Sequence, residues 1–144
     1  MDHNDLDMLM ITETRNIMDE MITGQGRKMT INGRVNKRTR VVVAKLEGTR
    51  LIIKAAKDRI IHIEYPLGVN IIGVYRLIEL AAKDTKEKFW QDLTAYVHDI
   101  KEPLIVIGDF NAGHEEGRCP GVKQEEQKNY KRLVKFANAN LMEI

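Results

Sequence analysis

Apolar residues fall in short runs along most of the chain, and the period of those runs switches between that of a strand and that of a helix. Leu9-Met10-Ile11-Thr12 reads as a short buried strand that delivers Glu13 and Thr14 at its end. Lys28 to Ile31 and Thr39 to Leu46 predict a hairpin around Asn32-Gly33, and Leu51 to Ala55 with Arg59 to Tyr65 predict a second pair turning near Lys57-Asp58. Val69 to Tyr75 is a strong strand, with Val69, Ile71, Ile72 and Val74 apolar. Asp84-Thr85 supplies a helix cap, and Phe89, Leu93, Val97 and Ile100 follow at helical spacing until Pro103 forces an end. Trp90 is expected in the core of that helix. Leu104-Ile105-Val106-Ile107 reads as a buried strand ending at Gly108. A loop then leads to a last helix from about Gln124 to Asn140, with Tyr130, Leu133, Val134, Ala137 and Leu141 on one face. Alternating strands and helices predict an α/β fold. No repeat, low-complexity tract or domain boundary interrupts it, so residues 1–144 are expected to form one domain.

Composition narrows the class. The 144 residues are 43% hydrophobic and 31% charged, as in an ordinary globular domain. No apolar run approaches the roughly 20 residues that span a bilayer, and no secretory signal opens the chain, so no membrane partner is expected. A single cysteine, Cys119, excludes an internal disulfide and a cysteine-rich zinc site. A reducing compartment, nucleus or cytoplasm, is the expected location. Net charge is only +2, but it is unevenly spread. Asp2, Asp5, Asp7, Glu13, Asp19 and Glu20 face one base, Arg15, in the first twenty residues. Met21 to Leu46 carries no acid and seven bases, Arg27, Lys28, Arg34, Lys37, Arg38, Arg40 and Lys45. Such a segment suits a nucleic-acid backbone, with Arg34, Lys37, Arg38 and Arg40 as the contacts. It equally suits a solvated hairpin edge protected by cations.

The richest chemistry follows the strand at residues 104–107. Asp109, Asn111 and His114 arrive where the chain leaves the sheet, the edge at which open α/β sheets bind ligands. A carboxylate, an amide and an imidazole can bind a metal, orient a water and hold a phosphate oxygen. Asp, Asn and Gly are also the commonest turn residues, and both alternatives stand on the residues alone. His114 is also read as a solvent-facing loop residue. His62, between Ile61 and Ile63, is expected on the opposite side of its strand.

The order of these features resembles the endonuclease/exonuclease/phosphatase family: an apolar strand ending in Ile11-Thr12-Glu13-Thr14, a hairpin region, a strand ending in Tyr75, an aromatic-bearing helix, then Gly108-Asp109-Phe110-Asn111. The run Leu133-Val134-Lys135-Phe136-Ala137-Asn138-Ala139-Asn140-Leu141 is similar to the retrotransposon-type, craniofacial development protein 2-like endonucleases. The resemblance implies a two-layered β-sandwich flanked by helices, and metal-dependent hydrolysis of a phosphodiester, most naturally in DNA. Glu13 would be the Mg²⁺ ligand, with Mn²⁺ as an alternative ion. Asp109 would orient or deprotonate water, Asn111 would steady the scissile phosphate, and Tyr75 would contact it. The alternative for Tyr75 is an ordinary packing role, because Arg76-Leu77-Ile78-Glu79 stands where the family carries a proline. The family's opening strand, with a metal-holding Asn, and its closing strands, with an Asp and a catalytic His, have no counterpart here. The chain is therefore expected to be the incomplete middle of a larger domain, with exposed sheet edges through which it can self-associate. Three functions remain open at this point: an active endonuclease, an inactive nucleic-acid-binding remnant, and a fragment stable only with a partner or a second copy.

Overall fold

The computed structural model describes residues 8–13, 20–22, 28–32, 39–76, 83–113 and 124–143. These form a mixed α/β structure with two four-stranded sheets and two helices: β1 (Met8–Thr12), β2 (Glu20–Ile22), β3 (Lys28–Asn32), β4 (Val41–Leu46), β5 (Ile52–Ala56), β6 (Ile60–Tyr65), β7 (Val69–Tyr75), α1 (Lys83–His98), β8 (Leu104–Asp109) and α2 (Gln124–Ala139). The chain divides into two compact units, Met1–Tyr75 with Lys101–Gly108, and Arg76–Ile100 with Asp109–Ile144. No described helix is long and apolar enough to cross a membrane.

The first unit holds the sheets, ordered β1-β4-β3-β2 and β5-β6-β7-β8. Both expected hairpins form: β3 pairs antiparallel with β4, and β5 with β6. β2 was not expected, because three residues are too few to show a period. β8 runs parallel to β7. Asn70 N donates to Pro103 O at 2.8 Å, and six residues further along both strands Arg76 N donates to Asp109 O at 2.8 Å.

Strand alternation explains the core. On β4, Val41 and Val43 join Ile61, Ile63, Ile71 and Tyr75 in one buried cluster, which draws on both sheets. On the other face of β4, Ala44 and Leu46 join Met29. β4 is thus covered on both sides, which is why its sequence is a near-continuous apolar run. His62 is absent from the cluster of its neighbours Ile61 and Ile63, as alternation requires. It is nonetheless buried, with its Nε2 2.8 Å from Asn70 Oδ1, so burial leaves the imidazole a polar partner.

β8 departs from expectation twice. It continues past Gly108 to Asp109, because Asp109 O still pairs with Arg76 N. It is also only half covered, with Ile105 48% and Ile107 37% exposed, and among the described residues it is the last strand of its sheet, with one neighbour. Its apolar run reads as a buried strand only when neighbours are assumed.

The second unit holds the helices. Phe89, Leu93 and Val97 of α1 are buried, as their spacing predicts. α1 starts at Lys83, so Asp84 lies inside the first turn, where its charge suits the helix dipole. On α2 the buried stripe is Asn129, Phe136 and Ala137. Leu141 does not belong to it: the helix stops at Ala139, and Leu141 is 95% exposed with φ +54°. Leu141 N donates to Asn138 O at 3.3 Å and Met142 N to Ala137 O at 2.9 Å, a Schellman-type cap that places a leucine at the position glycine usually takes.

Candidate active site

Three of the sequence-selected residues stand at strand ends for a reason of register. In the first unit, Thr12 pairs with Val41, so Glu13 emerges immediately after β1. It is exposed, with φ +57°, a left-handed conformation that L-residues adopt at a cost of about 1–2 kcal/mol. Ile60 pairs with Val74, and Tyr75 N donates to Arg59 O at 2.9 Å, which fixes the end of β7 against the start of β6. The Tyr75 ring is buried among Val41, Val43, Ile61, Ile63 and Ile71. Its Oη donates to Glu13 Oε1 at 2.5 Å. The packing role expected for Tyr75 is present in its ring, and its hydroxyl is engaged by Glu13. Arg59 lies over the ring, with Cζ 5.8 Å from its centroid, a cation–π contact. Burial lowers the Arg59 pKa below the usual guanidinium value and the charge of Arg40 lowers it further, while Tyr75 and Asp58 oppose them.

In the second unit, the Asp109-Phe110-Asn111 segment is pinned from three directions. Asp109 Oδ1 accepts Asn111 N at 2.9 Å, the turn that Asp favours two residues from its own position. Asn111 sits at φ +46°, and its Nδ2 donates to Arg76 O. Asn129 Nδ2, from α2, donates to Asn111 O at 2.8 Å. Phe110 stacks on Trp90 with ring centroids 6.2 Å apart, and Trp90 also meets Phe89 at 5.3 Å and Phe136 at 5.7 Å. Arg76, almost fully buried, places Cζ 5.8 Å from the Trp90 ring. The local turn is real, and it leaves the Asp109 carboxylate exposed. Turn and site are compatible here: the turn fixes the direction in which the carboxylate leaves the chain.

His114, Arg34, Lys37 and Arg38 lie outside the described residues, as do Thr14 and Cys119. Arg40 is described, half-buried, one residue before β4. Among the described residues no group of three or more His, Cys, Asp or Glu gathers as a metal site. Arg59, Arg76 and Asn129 were not selected from the sequence. Asn129 had a signal: it lies four, seven and eight residues before Leu133, Phe136 and Ala137, a polar residue on an apolar stripe. Arg59 and Arg76 gave none, since flanking cations are common beside any strand.

No family model matches the chain, and no curated protein matches it.

Proposed function

We propose that this chain is a metal-dependent phosphodiesterase that cuts DNA, built on the sandwich of the endonuclease/exonuclease/phosphatase fold. The observation that carries the proposal is the 2.5 Å hydrogen bond from Tyr75 Oη to Glu13 Oε1, across 62 positions of sequence. These are the two residues that the resemblance assigns to the metal and to the phosphate.

Glu13 offers a carboxylate, a hard oxygen group that fits Mg²⁺ or Mn²⁺, and the Tyr75 hydroxyl donates to it. Mg²⁺ keeps several waters and is commonly held through one or two protein carboxylates together with substrate phosphate, which suits a single carboxylate such as Glu13. Bound there, the ion would neutralise charge on the phosphate and the leaving oxygen. The chain's own residues do the rest. In the first unit Tyr75 orients the Glu13 carboxylate; in the second, the resemblance gives Asp109 the proton of the attacking water and Asn111 a phosphate oxygen.

Nicking of supercoiled plasmid tests the proposal. Mg²⁺-dependent nicking should vanish in EDTA and fall by about 10² or more in Asp109→Ala prepared identically. Equal nicking by both proteins, or none by a folded wild type, rejects it. A second reading, a non-catalytic self-associating module, is favoured by the exposed Ile105 and Ile107 on edge strand β8. Sizing over a range of concentrations checks that reading.

A further inference from the structure

The turn that carries Asp109 and Asn111 is gripped from α2 by a polar residue in an apolar place. Asn129 is 1% exposed and shares the buried stripe of α2 with Phe136 and Ala137. An amide buried there is unfavourable unless both of its ends find partners. One end does: Asn129 Nδ2 donates to Asn111 O at 2.8 Å. The other, Oδ1, is shielded from solvent without a hydrogen-bond partner among the described residues. A leucine would continue the apolar stripe and leave no acceptor unpaired on α2. Packing of the helix thus gives no reason for an amide at this position, whereas the bond to the turn does.

That bond sits where it can set a direction. Asn111 has φ +46°, a left-handed conformation that asparagine enters more readily than most residues and that persists where surrounding groups fix it. Three of its polar groups are fixed: N donates to Asp109 Oδ1 at 2.9 Å, Nδ2 donates to Arg76 O, and O accepts from Asn129. The first bond ties the Asp109 carboxylate to the peptide that enters Asn111, and the third holds the peptide that leaves it. Between them, Phe110 is stacked on Trp90. All of these residues belong to the second unit.

We infer that Asn129 is a positioning residue for the Asp109 carboxylate. Its amide clamps the Asn111 peptide, and the clamped turn aims the carboxylate before any ligand arrives. Asn129 is buried and acts only through Asn111, so the clamp bears on the rate of a reaction at Asp109 rather than on binding. The use of that carboxylate as a base rests on the phosphodiesterase reading, whereas the clamp itself rests on the hydrogen bonds above.

Backbone nitrogen-15 relaxation of the full chain tests the clamp without any substrate. In the wild type, the order parameters of Asp109, Phe110 and Asn111 should match those of α1, about 0.85. In Asn129→Leu they should fall below about 0.6 while α1 keeps its values. Asn129→Gln, which keeps a donor on a longer arm, should fall between. Thermal melts establish that each variant is folded. Should Asn129→Leu fail to fold, Asn129→Ala carries the same test, since it removes the donor without adding bulk. A turn as ordered in the folded variant as in the wild type overturns the clamp, and so does a wild-type turn that is already loose. Plasmid nicking then separates the clamp from the reading it serves. In Asn129→Leu, kcat should fall by about tenfold with KM unchanged, and Asn129→Gln should recover part of it. A merely structural asparagine would lower the melting temperature and leave kcat per folded molecule as it was. A turn loosened by the substitution, with no nicking by the wild type, upholds the clamp and removes the phosphodiesterase. Asp109-dependent nicking that keeps its kcat in the folded variant overturns the positioning role and upholds the phosphodiesterase.

Discussion

β7 and β8 are neighbours, run in the same direction and read almost alike, Val-Asn-Ile-Ile-Gly-Val-Tyr beside Leu-Ile-Val-Ile-Gly-Asp. Six of the seven residues of β7 are buried, and none of β8 is. Composition does not separate them. Position in the sheet does: among the described residues β7 has a strand on each side, and β8 has one. Each strand ends on a residue of the candidate chemistry, Tyr75 and Asp109. The tyrosine is therefore anchored by a packed ring. Asp109 depends on backbone hydrogen bonds and a turn. Burial and hydrogen bonding are two different ways to fix a side chain, and they should fail under different substitutions.

The two glycines make the sharpest test. At Gly108 a Cβ would land on the Val74 carbonyl, and the backbone is at φ +141°, where any side chain is strained. Gly108→Ala should cost more than about 3 kcal/mol in denaturant unfolding, or prevent folding altogether. At Gly73 a Cβ would meet the end of the Met10 side chain and Ile61, and the methionine can move. Gly73→Ala should cost about 1–3 kcal/mol by the same measurement. A reversed order would mean that β8 is not held against β7 as described.

Between the two strands, Ile72→Ala on β7 should lose about 2–5 kcal/mol, because its side chain is fully buried. Ile105→Ala on β8 should stay within about 0.5 kcal/mol. Equal costs would show that something covers β8 in solution. The smallest expected change in stability belongs to Ile105→Lys, again within about 0.5 kcal/mol, yet it should abolish any concentration-dependent association seen by sizing, because a charge on an edge strand opposes pairing. Association that survives Ile105→Lys would place the contact elsewhere.

Much of the strand layout was legible. Val69–Tyr75 was found with both ends correct, because apolar side chains on both faces leave a continuous run between polar punctuation. Both hairpins were found because turn residues, Asn32-Gly33 and Lys57-Asp58, separate the paired runs. The order of strands was not legible, since hydropathy marks a strand without naming its neighbours. That is why β8 was expected to be buried, and why its ladder was expected to stop at the glycine. At the candidate site the sequence pointed to Glu13, Tyr75, Asp109 and Asn111, all next to strand ends. It did not point to Arg59, whose contact with Tyr75 depends on the register of β6 against β7, or to Arg76, whose contact with Trp90 depends on how α1 folds back. Contacts between residues distant in sequence leave no local trace. Leu141 was misplaced because the apolar spacing continues one turn beyond the cap that ends α2.

The left-handed backbone at Glu13 sets stability against chemistry within a single residue. A glycine there would adopt φ +57° without strain, and the folded chain would gain what the glutamate costs it. A library of variants selected only for heat resistance would therefore drift away from the carboxylate, and its hardiest members would have nothing for Tyr75 to hold.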